Sequence, residues 1–364
     1  MRYLFAGGGT GGHIYPAVAI AKEILKNEQD AQILFVGTEK GLEKELVPRE
    51  GFELVTIEVQ GFKRKLSFDT LKTVYKAFTG FKQANKILKD FKPHVVIGTG
   101  GYVCGPVLMA AVIKRIPTLI HEQNAFPGVT NRLLSPFVDM VAVSFEDSVK
   151  YFKKAKKVVV TGNPIREELL GVKKEEGREK LGFSMSKPLV VSVGGSRGAE
   201  KINSTMVELL KIKDRKLQVL IITGSSNYDK VLEKVKKENV VLDDSVKIVP
   251  YSHEMQYVYA AADIMICRAG AITLSEITAV GVPSILIPSP YVANNHQEYN
   301  ARLLERQGAS HVILEKDLDA KKLYEKIEYL LNEPSLLNEM REKAKSMSRT
   351  DASYKIYQLV KTIT

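Results

Sequence analysis

The chain has 364 residues, enough for two domains, and its 45% hydrophobic and 26% charged residues are typical of a globular protein. Its formal net charge of +11 indicates an anionic partner. Because no nucleic-acid-binding motif is present, we expect a phosphorylated substrate or an anionic membrane surface. Two distant cysteines, Cys104 and Cys267, exclude a disulfide framework and fit a reducing cytosol, and we expect neither a signal peptide nor a membrane-spanning helix.

The first predicted element is a strand that leads through a glycine-rich loop into a helix. Apolar residues 3–6 predict a buried strand, and the Ala-rich residues 17–25 predict a helix. Between them, five of the six residues 7–12 are glycines, so the backbone can approach an anion such as a phosphate closely. His13, at the start of the helix, could act there as a base. The alternative is a tight turn with a solvated histidine, since the spacing matches neither a P-loop nor a complete dinucleotide fingerprint.

Further strand-like segments within residues 1–160 predict one parallel sheet. They are Val/Ile-rich runs separated by helix-like segments, which is typical of a sheet covered on both faces. The runs are residues 32–37, 54–57, 94–98, 118–120 and 140–143. Ligands bind such sheets at the carboxyl ends of the strands, and polar clusters follow two of these runs, at residues 98–102 and 121–124.

A second pattern of strand, glycine loop and helix repeats the first one about half a chain later. Strand 188–193 leads through loop 194–199 into a helix over 202–210. Further strands are predicted at residues 219–222, 246–249, 264–267 and 284–287. Two similar halves predict two Rossmann-like domains facing each other over a cleft, with the linker near residues 161–164. The predicted divisions are 1–161, 162–340 and a C-terminal helix over 341–364 that returns to the first domain.

One stretch departs from this alternation because basic and aromatic residues cluster in it. A basic, glycine-led loop at residues 61–66 precedes a helix whose apolar residues recur at helical spacing with lysines between them. The helix could simply pack on the sheet, or it could lie on an anionic membrane surface. The side chains that would then face the membrane are Leu71, Lys72, Tyr75, Lys76, Phe78, Phe81 and Lys82.

Taken together, the motifs resemble those of the MurG family of glycosyltransferases, in the same order along the chain. In the first half the matching segments are residues 8–13 (Gly-Gly-Thr-Gly-Gly-His), 100–102 with 105–106, and 121–124 (His-Glu-Gln-Asn). In the second half they are residues 162–166, 194–196, 268–271 with 275–276, and 296–297 with 300–301. Arg197 is a departure, because the family more usually carries glutamine there, and it adds a cation beside the expected diphosphate.

The resemblance implies an α/β protein of GT-B fold, with two Rossmann-like parallel-sheet domains and a cleft between them. The implied activity is that of an inverting hexosyltransferase of peptidoglycan synthesis, and hence of cell-wall growth and division. It would transfer N-acetylglucosamine from UDP-N-acetylglucosamine to the 4-hydroxyl of the N-acetylmuramic acid in lipid I (undecaprenyl-diphosphate-MurNAc-pentapeptide), giving lipid II. The implied partners are UDP-N-acetylglucosamine, lipid I and the anionic lipids on the cytoplasmic face of the cell membrane, where the protein would be peripheral.

The resemblance implies no cofactor, no metal and no nucleic acid. Asp317 and Asp319 superficially match a metal-binding Asp-x-Asp, but their place ahead of a lysine-rich helix favours a helix N-cap.

The family's site residues carry over onto matching positions of this sequence. His13 is the first choice for the catalytic base and Glu122 the second. The acceptor would contact Gly9, Thr10, Gly11, Gly12, His13 and Tyr102. The donor would contact Thr10, Gly11, Gly12 and Asn124 in the first domain. In the second domain it would contact Arg166, Ser196, Tyr251, Ser252, Met255, Ala271, Ile272, Thr273, Leu274, Ser275, Glu276 and Gln297.

These donor contacts have different expected partners. Ser196 and residues 271–274 would hold the diphosphate, and Glu276 would accept hydrogen bonds from the ribose. Residues 251, 252 and 255 would frame the uracil, with Arg166 near it or near the phosphates, and Gln297 would bind sugar hydroxyls. Two other functions remain open: a UDP-sugar epimerase on a similar fold, and a non-catalytic protein that binds a nucleotide sugar or a lipid.

Overall fold

The computed structural model describes residues 1–60, 68–195, 198–212 and 215–364, and the side chains of residues 68–75 and 293 lie outside this description. The chain forms two compact units. Unit 1 comprises Met1–Ile165 and Arg349–Thr364, and unit 2 comprises Arg166–Ser348. The sequence analysis placed the two divisions a few residues earlier, after residues 161 and 340.

Strands and helices alternate along both units. The strands are β1 Arg2–Gly7, β2 Gln32–Gly37, β3 Glu53–Thr56, β4 Val95–Gly100, β5 Thr118–Glu122, β6 Met140–Val143, β7 Val158–Val160, β8 Leu189–Val193, β9 Gln218–Ile222, β10 Val246–Val249, β11 Ile264–Cys267, β12 Ser284–Leu286 and β13 Ser310–Val312. The helices are α1 Gly11–Asn27, α2 Glu43–Arg49, α3 Phe68–Phe91, α4 Cys104–Ile113, α5 Val129–Leu134, α6 Glu146–Val149, α7 Lys174–Leu181, α8 Glu200–Leu210, α9 Tyr228–Lys237, α10 Met255–Ala261, α11 Ala271–Val280, α12 His296–Arg306, α13 Ala320–Asn332, α14 Pro334–Ser346 and α15 Ala352–Lys361.

The described strands of unit 1 form a parallel sheet in the order β3-β2-β1-β4-β5-β6-β7. The interior strand β1 pairs on both sides, with Leu4 opposite Leu34 of β2 and Val96 of β4. One face is covered by α1, α2 and α15, and the other by α3, α4 and α5. This double cover explains why the strands are apolar throughout rather than alternating.

The end of the chain belongs to unit 1 because α15 packs against α1. Ile356 and Val360 are fully buried there, and each such side chain contributes about 1.5–3 kcal/mol on burial. At the rim, Glu28 accepts hydrogen bonds from Tyr357 Oη at 3.2 Å and Lys361 Nζ at 2.9 Å. The predicted C-terminal helix is in fact two helices, and only the second, α15, lies in unit 1.

The described strands of unit 2 form a second parallel sheet, in the order β10-β9-β8-β11-β12-β13. Ile266 of β11 lies opposite Ser192 of β8 and Ile285 of β12. Two clusters of buried apolar residues cover its faces, one including α10 and α11 and the other including α8 and α13. Both sheets therefore have the strand order of a dinucleotide-binding fold, with a crevice where the order reverses.

The two short strands β7 and β13 are absent from the sequence-based assignment. Each has only three residues at the edge of its sheet, which is too short for an apolar run to be distinctive. The β7 pairing with β6 places residues 158–160 in the first sheet.

Candidate functional site

In unit 1 the strand order reverses between β1 and β4, and the loops after these strands pack backbone against backbone. Gly8 N donates to Gly100 O at 3.3 Å, and Thr99 Oγ1 donates to His13 O at 2.8 Å. A Cβ at Gly101 would lie 2.5 Å from Gly8 O, so a side chain there would push the loops apart. The glycines in these loops therefore permit close packing as well as any approach of a ligand.

The glycine loop ends in the N-terminus of α1. Thr10 is the extended N-cap residue, with φ −144° and ψ 155°, and the helix begins at Gly11. The N–H groups of a first helical turn have no acceptor within their own helix, and the helix dipole favours an anion beside them. Residues 10–12 therefore form a backbone surface suited to a phosphate oxygen.

His13 lies three residues after the N-cap, and its ring is held in one tautomer. Its Nδ1 lies 2.9 Å from Gly8 O, and because a carbonyl oxygen can only accept, Nδ1 carries a hydrogen. In the neutral ring Nε2 then carries the lone pair and is the nitrogen that can take up a proton. A Cβ at Gly100 would lie 3.0 Å from Nε2, so the glycine keeps that edge of the ring uncovered.

Gly9 was expected to contact the acceptor, but its N–H group already has a partner within the protein. Its N–H donates to Glu43 Oε2 at 2.8 Å and is therefore already committed within the protein. Glu43 was not singled out from the sequence, because it lies 34 residues away and has no motif around it. The anion-binding surface of the loop is thus restricted to residues 10–12.

Glu122, the second choice for the base, is buried and saturated with hydrogen bonds. Its Oε1 accepts from the backbone and side-chain nitrogens of Asn124 at 2.9 and 3.1 Å. Its Oε2 accepts from Gly128 N at 3.0 Å and Asn131 Nδ2 at 2.8 Å. Four donors occupy the carboxylate, so the geometry supports a role in holding the 122–131 loop rather than in proton transfer. Asn124 lies in this loop, and Tyr102, at the start of the segment before α4, is 61% exposed.

A buried polar network ties the end of β5 to the end of β4 and to residues 162–163. His121 Nε2 lies 3.1 Å from Gly162 O, and Gln123 Nε2 donates to Thr99 O at 2.8 Å. Ser144 Oγ donates to Asn163 Oδ1 at 2.7 Å. Burial lowers the pKa of His121 to about 4, although the bond to Gly162 opposes the shift. His121 is therefore neutral at physiological pH and holds the segment that leads out of unit 1.

In unit 2 the strand order reverses between β8 and β11, and α11 begins just after β11. Gly270 is its extended N-cap, so residues 271–274 form the first turn, whose N–H groups point toward the crevice end of the helix. Ser196 and Arg197, in the loop after β8, lie outside the described residues. The described part of that loop packs closely on the next one, since a Cβ at Gly224 would lie 2.6 Å from Gly198 Cα.

Glu276, in the second turn of α11, holds a buried ion pair. Its Oε1 accepts from Arg166 Nε at 3.1 Å and Nη2 at 2.9 Å, and its Oε2 accepts from Tyr259 Oη at 2.8 Å. Burial and the neighbouring carboxylate raise the pKa of Tyr259 well above its usual value, so this hydroxyl remains a donor. The sequence analysis expected Glu276 and Arg166 at one site but missed Tyr259 of α10.

The other residues of unit 2 that were expected at the donor site follow the carboxyl ends of β10, β11 and β12. Gln297 Oε1 accepts from Ser289 N at 2.9 Å, which directs its amide NH₂ away from the backbone. Tyr251 is partly exposed and its ring contacts that of His253 at 4.7 Å between centroids. Ser252 and Met255 are partly buried, as are Ile272, Thr273 and Ser275. Asp319 accepts from Lys321 N and Lys322 N and caps α13, which confirms its predicted N-cap role.

The predicted membrane-facing helix is α3, Phe68–Phe91. Phe78 is 57% exposed, and Lys82 Nζ lies 4.7 Å from the centre of its ring. Phe81 instead packs against the core, so it does not belong to an exposed face. The side chains of Leu71, Lys72 and Tyr75 lie outside the described residues, and Lys76 is partly exposed. Within the described part of the chain, no helix is long and apolar enough to span a bilayer.

Two Rossmann-like units, each with a glycine loop where its strand order reverses, are the architecture of the GT-B fold. The chain belongs to glycosyltransferase family 28: residues 3–143 match the family's N-terminal domain and residues 189–356 its C-terminal domain. The fold class and the enzyme class expected from the sequence are therefore confirmed.

Individual proteins agree with this assignment. The chain is 98% identical, over the full length of both sequences, to a UDP-N-acetylglucosamine–N-acetylmuramyl-(pentapeptide) pyrophosphoryl-undecaprenol N-acetylglucosamine transferase from Caldanaerobacter subterraneus subsp. tengcongensis. A crystal structure of MurG from Acinetobacter baumannii is 29% identical and covers 99% of each chain with a TM-score of 0.78. A UDP-N-acetylglucosamine 2-epimerase from Neisseria meningitidis, 16% identical with full coverage and a TM-score of 0.69, shares the fold.

Proposed function

We propose that this protein transfers N-acetylglucosamine from UDP-N-acetylglucosamine to the 4-hydroxyl of the N-acetylmuramic acid in lipid I, with inversion, to give lipid II. The observation that carries this proposal is the full-length 98% identity to a transferase named for that donor and acceptor. The geometry of the two units supports it, because unit 1 offers a base beside a phosphate-binding backbone. Unit 2 offers a carboxylate beside a helix N-terminus.

Unit 2 is the proposed donor domain. The ribose hydroxyls would donate to Glu276, whose Oε2 accepts only one bond from Tyr259 among the described contacts. Arg166 and the first turn of α11 would stabilise the diphosphate, with Ser196 contributing from the loop after β8. Residues 251, 252 and 255 would contact the uracil, and the amide NH₂ of Gln297 would donate to a sugar hydroxyl.

Unit 1 is the proposed acceptor domain. The acceptor diphosphate would accept hydrogen bonds from the backbone at residues 10–12, and Tyr102 would contact the acceptor from the neighbouring loop. His13 would be the base, because its Nε2 is the nitrogen that lacks a hydrogen. Asn124 would contact the donor sugar from the loop that Glu122 holds.

The reaction is a single in-line displacement. The acceptor O4 attacks the anomeric carbon of the α-linked donor and forms the new β-glycosidic bond, while His13 Nε2 takes the proton of that hydroxyl. The bond between the anomeric carbon and the β-phosphate oxygen breaks, and its electron pair leaves with UDP. A positioned base contributes about 10²–10⁴-fold in rate, and electrostatic stabilisation of the leaving diphosphate adds to it.

We further propose that unit 1 binds the cytoplasmic face of the cell membrane through the helix layer α3, α4 and α5. Exposed apolar side chains lie on all three helices: Phe78 on α3, Ile113 at the end of α4, and Val129 and Leu133 on α5. A lipid surface could cover such side chains, which are costly to leave in water. Lys76 and Lys82 supply positive charge from α3.

A basic surface pocket at the end of this layer strengthens the membrane proposal. Val129 and Leu133 line it together with Arg132, Lys150 and Lys153. Two of its cations lie over aromatic rings, with Arg132 5.9 Å from the ring of Phe126 and Lys150 5.3 Å from that of Tyr151. Apolar side chains beside clustered cations suit the boundary between acyl chains and anionic headgroups. The sequence analysis missed this surface because α5 and α6 are too short to show a periodic pattern.

The test is incubation of the full chain with labelled UDP-N-acetylglucosamine and a lipid I analogue. We expect a β-linked disaccharide product and an equal amount of UDP, both dependent on the acceptor. Appearance of the 2-epimer of the donor sugar without acceptor would contradict the proposal in favour of an epimerase. Tight binding of both ligands with no product would identify a non-catalytic binding protein. The His13→Ala variant is the control for contaminating transferase.

A further inference from the structure

A single peptide unit in the glycine loop connects His13 to a buried carboxylate. The carbonyl of Gly8 accepts from His13 Nδ1 at 2.9 Å, and the N–H of Gly9 donates to Glu43 Oε2 at 2.8 Å. These two groups belong to the same planar peptide, so their directions are opposed and fixed relative to each other. Glu43 therefore fixes the orientation of this peptide plane, and that orientation places the Gly8 carbonyl oxygen against His13 Nδ1.

Glu43 is enclosed by the loops that it connects. The residue is fully buried, and its Oε1 accepts from Thr38 N at 2.8 Å and Thr38 Oγ1 at 2.7 Å. A Cβ at Gly8, Gly37 or Gly41 would lie 2.4, 2.4 or 2.1 Å from an atom of this side chain. Three glycines, Gly8 after β1, Gly37 at the end of β2 and Gly41 between β2 and α2, thus make room for one carboxylate.

The backbone at Gly8 and Gly9 allows the peptide between them two orientations. Flipping the plane changes ψ of Gly8 and φ of Gly9, and both residues are glycines, with Gly9 at φ +84°. In the flipped orientation the N–H would face His13, and Nδ1 could only accept. The ring hydrogen would then sit on Nε2, and the ring could not take a proton from a substrate at that atom. The carboxylate of Glu43 favours the observed orientation because only that one places the Gly9 N–H against it.

We propose that Glu43 is a positioning residue that acts through the 8–9 peptide to hold His13 as the tautomer with the lone pair on Nε2. The inference rests on the proposed role of His13 as the base. When Nε2 takes the proton of the acceptor hydroxyl, the ring becomes cationic and its Nδ1–H bond to Gly8 O strengthens. Glu43 stabilises this state by polarising the peptide, and it neither gains nor loses a proton. The arrangement does through a peptide what a directly bonded carboxylate does for many histidines.

Glu43→Gln is the principal test, since it keeps the shape and replaces one oxygen by an NH₂ group. That NH₂ must face either the Thr38 or the Gly9 N–H, so the constraint on the 8–9 peptide is weakened. The first measurement is the ¹⁵N NMR spectrum of the His13 ring in histidine-labelled protein without substrates. We expect wild type to be the Nδ1–H tautomer and Glu43→Gln to populate the Nε2–H tautomer. An unchanged His13 spectrum would overturn the inference, whatever the activity.

Kinetics supply the second measurement. Loss of a partner that orients a metal-bound histidine typically lowers activity about 10–100-fold, and we expect kcat to fall by a comparable factor here while KM for UDP-N-acetylglucosamine is kept. In a His13→Ala background Glu43→Gln should cause no further loss, because its effect passes through the imidazole. If Glu43→Gln lowers kcat by the same factor in the His13→Ala background as in wild type, the role of Glu43 is only structural.

Controls separate this inference from folding defects and from the proposed function. Glu45→Gln, an exposed residue on the same helix, should change neither the spectrum nor kcat. If Glu43→Gln does not fold, Glu43→Asp withdraws the carboxylate while keeping its charge, and it should shift the tautomer in the same direction. Failure of wild type to form disaccharide would refute the proposed function alone, since the ring spectrum is recorded without substrate.

Discussion

The two units have the same strand order, but Glu43 and Glu122 of unit 1 and Glu276 of unit 2 accept hydrogen bonds from different kinds of donor. In unit 1, Glu43 and Glu122 accept hydrogen bonds only from uncharged donors among the described contacts. In unit 2, Glu276 is paired with a guanidinium and a tyrosine hydroxyl. The Arg166 side chain is 23% exposed, whereas that of Glu276 is 8% exposed.

This difference indicates which carboxylates belong to the scaffold. Backbone N–H groups are fixed by the fold, so a carboxylate that accepts from them cannot release its partners when a ligand arrives. An arginine side chain can rotate, and the guanidinium that neutralises Glu276 in this structure could move to a ligand phosphate. Unit 1 thus uses buried acids to make its loops rigid around His13, and unit 2 keeps one acid available to a ligand. The following predictions test this contrast.

The largest effect is expected at His13, which the rigid loops of unit 1 surround. His13→Ala should lower turnover about 10²–10⁴-fold, because it removes the proposed base. Calorimetric titration should show that UDP binds with near wild-type affinity, because that ligand is assigned to unit 2. A raised acceptor KM with turnover largely kept would instead mean that His13 only binds the acceptor.

The buried network of unit 1 should make that unit sensitive to acid. The unfolded chain protonates His121 below about pH 6.5, whereas the native protein does so only near pH 4. The stability due to His121 is therefore complete above pH 6.5 and is lost as the pH falls toward 4, by about 3 kcal/mol. Of the six histidines, all within the described residues, His121 alone is buried.

This effect is measured by denaturant unfolding between pH 4 and 7 and, in unit 1, by amide hydrogen exchange in β4–β6. His121→Asn should remove most of this dependence on pH, leaving the part due to His311, whose pKa is also lowered by burial, whereas His94→Gln, at an exposed histidine of unit 1, should keep it. An unfolding free energy that is flat over this range in wild type would contradict the assignment of a buried neutral ring.

A smaller effect is expected in unit 2 at Glu276, whose partner Arg166 could move to a ligand phosphate. Glu276→Ala removes an acceptor for the ribose hydroxyls, and a hydrogen bond to a charged group contributes roughly 1.5–3 kcal/mol, or tenfold or more in affinity for UDP. Titration calorimetry of UDP measures the loss. Tyr259→Phe is the matched comparison: it removes only one neutral donor and should cost less. Equal UDP affinity in wild type and Glu276→Ala would exclude the ribose contact.

The smallest effect per residue is expected on the membrane surface of unit 1. Each lysine near an anionic surface contributes about 1 kcal/mol, so Lys76→Glu with Lys82→Glu should weaken co-sedimentation with anionic vesicles at least tenfold at low salt. The same charge reversal at Lys230 and Lys237, exposed on α9 of unit 2, is the control and should have little effect. If the two pairs behaved alike, binding would reflect overall charge rather than the α3 surface.

The sequence predicted those features that are contiguous along the chain. The loop at residues 7–13 was recognisable because glycine density, an apolar strand and an Ala-rich helix adjoin one another. Glu276 was identified only through the match of its segment to the family's motif. Glu43 was not recognisable, because its partners Gly9 and Thr38 come from different loops and nothing in the residues around it marks a buried acid. Tyr259 was missed for the same reason, since only the fold brings α10 against α11. The roles of Gly9 and Glu122 depended on hydrogen bonds that no spacing reveals.

The thiol of Cys104 donates to Ala6 O at 2.9 Å and accepts from Gly100 N, and burial raises the pKa of both Cys104 and Cys267 to about 12. At neutral pH the folded protein therefore presents essentially no thiolate to an alkylating reagent. A single cysteine introduced at an exposed position such as Tyr102 would be the one reactive thiol of the native chain. Fluorophores or spin labels could thus be attached beside the proposed acceptor site without removing either natural cysteine.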